Sequence, residues 1–415
     1  MKKNRAAIGA TLTTALAGIT VAAVASTLPV TSGAAASAST TTVRTDNSQA
    51  AQLPPLDPAG LRAAISGLPN ATVTGALVNV TGAAGQWSGT SGVRDIVSRA
   101  PVPAGGNFRI GSISKVLTAV VVLQLAAEGQ VDLGATVQHY LPGLLPASYP
   151  LITVRQILNH TSGLPDSTLD DGDAEWFVGH RFQSWTPQQL VAEAVSHPLM
   201  FQPGAAQHYS GTSYYLAGLL IERLTGHSYA DEVRARILRP LGLASTYVLS
   251  RYDPRLPGPH AHGYVAVTSG GGTTLHDVTE QSPYRWAAGG IISDGADLRT
   301  FITAVFSGRL VPSPQLAEMF TVPDVSYLGT DFCTTGPDAG RACFGAGLMR
   351  STLPNGLTGW GKTGSVPGYT SGLFATRDLS RVLVYSLTPT GDRDGSETPY
   401  ITKIVMATFD PPLSP

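Results

Sequence analysis

The chain has 415 residues, 43% of them apolar, which is ample for the core of one large domain or of two. Its 27 lysines and arginines balance 28 aspartates and glutamates, for a net charge of -1. With that balance and no basic run, a nucleic acid is excluded as the expected partner.

The N-terminus has the features of an export signal. Basic residues precede an apolar stretch over residues 6–25 that ends in small residues typical of a cleavage site. We therefore predict a signal peptide at residues 1–25, with cleavage as late as residue 38, and a flexible linker over residues 26–56. No other segment is apolar over the ~18 residues of a membrane span, so a secreted, extracytoplasmic protein without a stable span is expected.

The folded part is predicted to begin at Asp57-Pro58, a helix N-cap followed by the proline favoured at the first helical position. Two β-rich stretches, residues 71–80 and 85–93, are separated by a glycine-containing turn and predict a hairpin. The domain is thus expected to occupy residues 57–410.

A long apolar run over residues 108–129 predicts a buried helix. Lys115 is the one charged residue within its apolar part, and Ser112 lies three positions earlier on the same helix face. A buried amine in that position can take the hydroxyl proton. In the alternative interpretation, Ser112 only caps the helix and the Lys115 amine reaches solvent.

Helical patterns fill the middle of the chain, and strands are expected again only near the C-terminus. The predicted helices are residues 151–160, 187–195, 212–225, 230–239 (ended by Pro240), one that opens near Asp294, and 400–409; the predicted strands are residues 358–364, 370–377 and 381–388. This order predicts an α/β (α+β) fold, in which an antiparallel sheet built from the N- and C-terminal segments is flanked by helices and interrupted by an inserted helical subdomain.

The cysteines are candidates for a disulfide, and two of the histidines are candidates for metal ligands. Cys333 and Cys343 share one loop-like segment, which in an exported protein favours a local disulfide over two free thiols. His260 and His262 lack an accompanying carboxylate motif, so no metal site is predicted. Residues 226–230 imitate the nucleophile elbow of α/β-hydrolases, but they stand between two predicted helices and are interpreted as a turn.

Two later motifs complete a pattern that begins with Ser112 and Lys115. Tyr209-Ser210-Gly211 precedes a predicted helix, and Lys362-Thr363-Gly364 lies at a predicted strand end. S-x-x-K, a Y-x-N-like motif and K-T-G in this order resemble the serine β-lactamase and penicillin-binding superfamily, above all secreted D-alanyl-D-alanine carboxypeptidases, class C β-lactamases and related esterases and aminopeptidases. The resemblance extends to N-H-T-S-G-L-P-D at residues 159–166, P-L-G-L at residues 240–243 and A-A-G-G-I-I-S at residues 287–293.

The resemblance implies a catalytic role for four residues. Ser112 would be the nucleophile, Lys115 the base that takes its proton, and Tyr209 a second base or proton shuttle. The N–H groups of Ser112 and Ser365 would form the oxyanion hole.

It also implies a substrate-binding strand and two departures from the family pattern. Lys362, Thr363 and Gly364 would bind substrate through the lysine charge and a threonine hydrogen bond to a carboxylate. Gly211 stands where the family has an asparagine that binds the acylamide carbonyl. The arginine that follows G-x-G-L in some carboxypeptidases is Met349 here, with Arg350 next along.

These motifs predict an exported serine hydrolase that forms an acyl-enzyme on Ser112, without a cofactor. A D-alanyl-D-alanine carboxypeptidase is the first expectation. An esterase or D-amino-acid amidase is the alternative, because an ester has less need of the amide missing at Gly211. A non-catalytic binder of cell-wall fragments or β-lactams is the third interpretation. The expected partner is a small peptide or ester, with the peptidoglycan stem peptide as one candidate, and the protein is expected to be a monomer.

Overall fold

The computed structural model describes residues 53–169 and 171–410. These residues all belong to one compact unit. The predicted signal peptide and residues 26–52 of the predicted linker lie outside the described residues. Within the described ranges, no helix is both long and apolar enough to cross a membrane.

A six-stranded antiparallel sheet carries strands from both ends of the chain, as predicted. In chain order the strands are β1 (Val73–Thr81), β2 (Trp87–Gly92), β3 (Phe108–Arg109), β4 (Tyr247–Val248), β5 (Tyr264–Ser269), β6 (Gly272–Asp277), β7 (Ile291–Ser293), β8 (Met349–Thr352), β9 (Thr358–Val366), β10 (Tyr369–Thr376) and β11 (Val382–Pro389). The large sheet has the order β2-β1-β11-β10-β9-β8. The N-terminal hairpin therefore pairs with the last strand of the chain, which closes the domain.

Helices cover both faces of this sheet. They are α1 (Pro58–Ala64), α2 (Ser114–Ala127), α3 (Val137–Tyr140), α4 (Val154–Leu158), α5 (Ala174–His180), α6 (Pro187–Ala194), α7 (Thr212–Thr225), α8 (Tyr229–Val233), α9 (Arg239–Leu241), α10 (Trp286–Gly289), α11 (Gly295–Phe306), α12 (Ser313–Phe320) and α13 (Thr398–Phe409). Alternation along β10 separates two cores: Leu373 packs in the large core with α2 and α7, and Phe374 packs against α1 and α13. The inserted helical subdomain thus shares its core with the sheet face that carries α2.

The prediction that strands return only near the C-terminus is wrong. β5 and β6 form a separate hairpin, and Gly270 and Gly271 make its two-residue turn with φ of +61° and +82°. A second small sheet, β3-β7-β4, consists of strands of only two or three residues. Two glycines suit the positive φ values of such a hairpin turn, whereas strands of two or three residues depend on their tertiary partners.

Two predicted helix ends also need correction. The run over residues 108–129 begins as strand β3, turns through a 3₁₀ segment at Gly111–Ile113, and becomes α-helical only at Ser114. Pro240 does not end its helix: a π-helical turn at Arg234–Leu238 leads into α9, where the proline occupies the first turn and its missing N–H costs no hydrogen bond. Gly242, in the left-handed conformation, is the actual end.

Candidate active site

Ser112 lies in the 3₁₀ turn that leads into α2, half-exposed at the end of a buried helix. The Ser114 hydroxyl fixes this turn, because Oγ donates to the Gly111 carbonyl at 2.7 Å and accepts the Ile291 N–H at 3.2 Å. No side chain caps either the turn or α2. The alternative in which Ser112 acts as a helix cap is therefore wrong.

Two glycines bring the end of strand β9 against the Ser112 turn. A Cβ on Gly364 would stand 1.9 Å from the Ile110 carbonyl oxygen, and one on Gly111, where φ is +49°, would stand 2.6 Å from the Ser365 nitrogen. Only glycine permits this approach. The backbone of Ser365, predicted as an oxyanion donor, is thereby brought beside the turn that holds Ser112.

The Lys115 amine is buried and faces Ser112. Nζ lies 3.2 Å from Ser112 Oγ and 2.7 Å from the Ala288 carbonyl oxygen, and the residue is 3% exposed. The alternative of an amine that reaches solvent is therefore wrong. Burial, followed by the charge of Lys362, lowers the pKa of Lys115 well below its ordinary value. A neutral amine beside the hydroxyl can act as a base.

Tyr209 completes the group around the nucleophile. The Lys115 and Lys362 Nζ atoms lie 4.9 Å and 4.6 Å from its ring centroid. Burial raises the pKa of Tyr209 well above its ordinary value, and the nearby Ser112 hydroxyl lowers it by a smaller amount. The Ser112 contact lacks full hydrogen-bond geometry, so Oη is a buried polar atom without a partner among the described residues. The phenol is neutral at ordinary pH.

Lys362 lies on β9 within an aromatic surround. Its Nζ donates to the Thr363 carbonyl oxygen at 3.1 Å and lies 4.5 Å from the Phe332 ring centroid. The side chain is 1% exposed, and burial lowers its pKa to about 7, against an opposing contribution from Asp331. The lysine therefore loses its charge near neutral pH.

Two buried residues that the sequence did not single out for catalysis hold Tyr209 in place. Gln207 donates to the carbonyls of Asn159 and Phe344, at 2.8 Å and 2.9 Å, and accepts the Cys343 N–H at 2.8 Å. His160 Nδ1 accepts the N–H of residue 210 at 3.1 Å, and its ring lies 4.5 Å from that of Tyr209. His160 thereby ties its own loop to the loop that carries Tyr209.

Asp166 was quoted only as the end of a motif, yet its carboxylate lies beside Gly211. A Cβ on Gly211 would stand 3.7 Å from Asp166 Oδ1. Oδ1 accepts hydrogen bonds from Ser210 Oγ at 2.9 Å and from the Thr212 N–H and hydroxyl at 3.1 Å and 3.4 Å, and Oδ2 accepts none of the three. The residue is exposed. Its charge contributes an upward shift to the pKa values of both Lys115 and Tyr209, against the larger lowering at Lys115. Its field therefore reaches the lysine and the tyrosine beside the nucleophile.

The remaining candidates are structural in this fold. Cys333 and Cys343 form a disulfide with a Cα–Cα distance of 5.7 Å. Arg350 pairs with Asp338 at 3.2 Å. His262 pairs with Asp277 at 2.7 Å, and no three potential metal ligands cluster anywhere in residues 53–169 and 171–410. Residues 226–230 form the expected turn between α7 and α8.

A family model described as Beta-lactamase matches residues 61–405. The chain is 26% identical over 309 residues to penicillin-binding protein 4* of Bacillus subtilis, covering 71% of this chain and 63% of that protein. It is 30% identical over 181 residues to esterase EstB of Burkholderia gladioli, covering 41% of this chain and 46% of that esterase. The match thus spans less than two thirds of either relative.

Two solved structures have a similar fold. A D-stereospecific amidohydrolase from a Streptomyces species superposes with a TM-score of 0.73 at 34% identity, covering 85% of this chain and 99% of that one. A D-amino acid amidase from Ochrobactrum anthropi, complexed with L-phenylalanine amide, gives a TM-score of 0.69 at 26% identity, covering 84% and 97%. The predicted fold is confirmed.

Proposed function

The chain belongs to the beta-lactamase family of serine hydrolases, and from that premise we propose that it hydrolyses amides, esters or short peptides of D-amino acids whose α-amino group is free. The observation that carries this proposal is the Asp166 carboxylate beside Gly211. Where the family's asparagine would bind an acylamide carbonyl, position 211 has no side chain, and the neighbouring Asp166 carboxylate offers a negative charge instead. A substrate ammonium complements that charge.

We propose the following steps for the reaction. Neutral Lys115 takes the proton of Ser112 Oγ as the oxygen bonds to the scissile carbonyl carbon, and the N–H groups of Ser112 and Ser365 stabilise the oxyanion. The proton passes to the leaving group, with Tyr209 as a neutral shuttle, when the carbonyl–leaving-group bond breaks. Water then attacks the ester on Ser112 and releases the acid, which restores the hydroxyl.

The raised pKa of Tyr209 and the lowered pKa of Lys115 support this division of roles. A phenol that stays protonated at neutral pH can relay a proton but is poorly suited to start the reaction as a base. Lys362 and Thr363 are proposed to supply positive charge and a hydrogen bond at the far side of the scissile group.

Two features of the structural relatives support the substrate class. The Streptomyces protein is a D-stereospecific amidohydrolase and the Ochrobactrum protein is a D-amino acid amidase, and each is covered almost completely. The carboxypeptidase and the plain esterase stay predictions, as does the non-catalytic binder of cell-wall fragments.

The deciding experiment compares D-phenylalanine amide with its N-acetyl form, which differs only in the group offered to Asp166, and with an L-amide and a carboxypeptidase substrate. We expect D-phenylalanine amide to be hydrolysed faster than N-acetyl-D-phenylalanine amide, L-phenylalanine amide and diacetyl-L-Lys-D-Ala-D-Ala. Asp166→Asn keeps an oxygen for Ser210 and Thr212 but removes the charge, so kcat/KM for D-phenylalanine amide should fall about 10- to 100-fold, the value of a charged hydrogen bond. Loss of the Asp166 charge also lowers the pKa of Lys115 further, which keeps it available as a base, so turnover of p-nitrophenyl butyrate should change much less than that of the amide.

Two outcomes would contradict the proposal. If Asp166→Asn lowered kcat/KM equally for the ester and the amide, the role of Asp166 would be only to stabilise the start of α7. A preference for diacetyl-L-Lys-D-Ala-D-Ala would favour the carboxypeptidase instead.

Gly211→Asn tests the same pocket from the opposite side. Gly211 has ordinary helical angles, φ -71° and ψ -36°, and a Cβ there makes only ordinary van der Waals contact with Asp166, so the substitution is compatible with the backbone. The new amide would occupy the place proposed for the substrate ammonium. We expect the ratio of free-amino to N-acetyl amide hydrolysis to fall about 2- to 10-fold, the value of one hydrogen bond. A ratio at or above that of the wild type would count against the pocket assignment.

We also propose that the protein is exported and monomeric. The basic and apolar character of residues 1–25 and the disulfide support export, because disulfides persist in oxidising compartments. N-terminal sequencing of protein from culture medium would test export, and light scattering would test the monomer. An intact Met1 or an oligomeric mass would refute the respective proposal.

A further inference from the structure

Three aromatic rings surround the Lys362 amine, and one of them comes from segment 331–343, which contains the Cys333–Cys343 disulfide. Nζ lies 4.6 Å from the Tyr209 ring centroid, 4.5 Å from that of Phe332 and 5.6 Å from that of Phe344. Phe332 also packs against Tyr209 and Phe344, with centroid separations of 4.7 Å and 5.4 Å. It therefore covers both the amine and the proposed proton shuttle.

Segment 331–343 contains no helix or strand to hold Phe332 in that position. The end of the segment at Cys343 is anchored in the fold, because Cys343 is 4% exposed and donates its N–H to Gln207. Gln207 itself lies two residues before Tyr209. The disulfide joins this anchored residue to Cys333, the neighbour of Phe332. A second attachment is the hydrogen bond of 2.7 Å from the Tyr327 hydroxyl to Asp331.

We infer that Phe332 is a positioning residue that keeps water away from the Lys362 amine, that the Cys333–Cys343 disulfide holds it there, and that Asp331 opposes its effect by charge. Together they set the pH range in which Lys362 is charged. This inference depends on the hydrolase chemistry of the family and not on the choice of substrate.

The groups that face Lys362 define the direction of each contribution. Burial, to which Phe332 contributes, lowers the pKa of Lys362 to about 7, and the carboxylate of Asp331 raises it. Lys115 and His160 lie on the other sides, and the Lys362 charge lowers the pKa values of both. Tyr209 presents its ring and a neutral hydroxyl.

The pH profile of kcat/KM should have an alkaline limb, a decline at high pH, that shifts in opposite directions when Phe332 or the Asp331 charge is removed. Lys362 is charged below its pKa, so kcat/KM should decline as the pH rises through about 7. Removal of the Phe332 ring admits water and moves this limb to higher pH. Removal of the Asp331 charge moves it to lower pH.

The experiment is a pH profile of kcat/KM with p-nitrophenyl butyrate at low ionic strength, where the charge of exposed Asp331 is least screened. This substrate has no ammonium for Asp166, so the result is independent of the amide specificity. For Phe332→Ala we expect the limb to rise by ~0.5 pH unit or more, which at pH 8 gives about 2- to 3-fold more of the maximal activity. Asp331→Asn keeps an acceptor for Tyr327 and should lower the limb, and Thr335→Ala, in the same segment, should leave it in place.

The disulfide is tested in the same profile. A variant with Cys333→Ser and Cys343→Ser should shift the limb in the direction of Phe332→Ala, and a limb at the wild-type position would refute the role of the disulfide. Limbs of Phe332→Ala and Asp331→Asn that coincide with the wild type, or that move in the same direction, would overturn the inference as a whole.

Discussion

The Lys115 amine and the Tyr209 hydroxyl are both buried beside Ser112, but burial shifts their pKa values in opposite directions. Loss of hydration disfavours the charged form, which is the protonated lysine and the deprotonated tyrosine. The pKa of Lys115 therefore falls and that of Tyr209 rises. Burial thus favours a free base and a proton donor side by side at the nucleophile.

A substitution that preserves the charge of Lys115 tests this assignment. Lys115→Arg should lower the rate of acylation by about 10²- to 10⁴-fold, the contribution of a general base, because a guanidinium keeps its proton at neutral pH. The measurement is the burst of p-nitrophenol together with the mass of the acylated protein. Lys403→Arg, on the exposed side of α13, is the control, and a melting curve establishes that each variant is folded. Acylation of Lys115→Arg at the wild-type rate would exclude Lys115 as the base.

The main residues of the candidate site could be named from the sequence because short motifs fix their local spacing. Ser112 and Lys115 are three residues apart, which places both on one face of a helical turn. K-T-G marks the end of a strand, so the local position of each motif can be predicted from the sequence alone. Asp166 and Phe332 could not be assigned to the site in this way. Both come from loops distant in sequence, and only the packed fold brings them to Gly211 and Lys362.

At the scale of elements, the site depends on how closely strand β9 approaches the turn at Gly111–Ile113. The Ser371 hydroxyl bridges the two by donating to the Ile110 carbonyl at 3.2 Å and the Gly364 carbonyl at 3.4 Å. The long helices and C-terminal strands that frame this contact were predictable from periodicity and caps. The contact itself pairs residues far apart in the chain, so no local pattern specifies it.

Two glycines on the same strand provide a matched test of this contact. Gly364→Ala would place a methyl group 1.9 Å from the Ile110 carbonyl and force β9 away from the Ser112 turn. Since misplacement by about 1 Å can cost on the order of 10²-fold, we expect a loss of that size in kcat/KM. Gly359→Ala meets only the Ser351 carbonyl oxygen, at 4.0 Å, and should stay near wild-type activity. Equal activity of the two variants would contradict the role given to the close approach.

At the scale of the whole molecule, the buried lysines oppose folding. An amine whose pKa is lower in the folded protein than in the unfolded chain destabilises the folded state. This cost shrinks as the pH rises from the folded pKa towards the unfolded pKa, where the unfolded state binds more protons. Lys362 has a folded pKa of about 7 against 10.5 for an unperturbed lysine. The unfolded state binds more protons between these values, so stability should rise with pH across that window. Lys115 acts in the same direction.

Lys362→Met should remove this cost. The thioether matches the lysine stem in shape and can pack among the three aromatic rings that now surround the amine. We expect the wild-type free energy of unfolding to rise by on the order of a few kcal/mol between about pH 7 and about pH 9.5, and this dependence to be much weaker in the variant. At neutral pH the variant should melt at least ~2 °C higher than the wild type and be inactive, whereas Lys403→Met should match the wild type in both respects. Differential scanning calorimetry across the window provides the measurement. Two outcomes would contradict this prediction: a wild-type stability that falls as the pH rises, or a variant with the same pH dependence as the wild type. Either would show that Lys362 keeps its proton in the folded protein and that its burial has no such energetic cost.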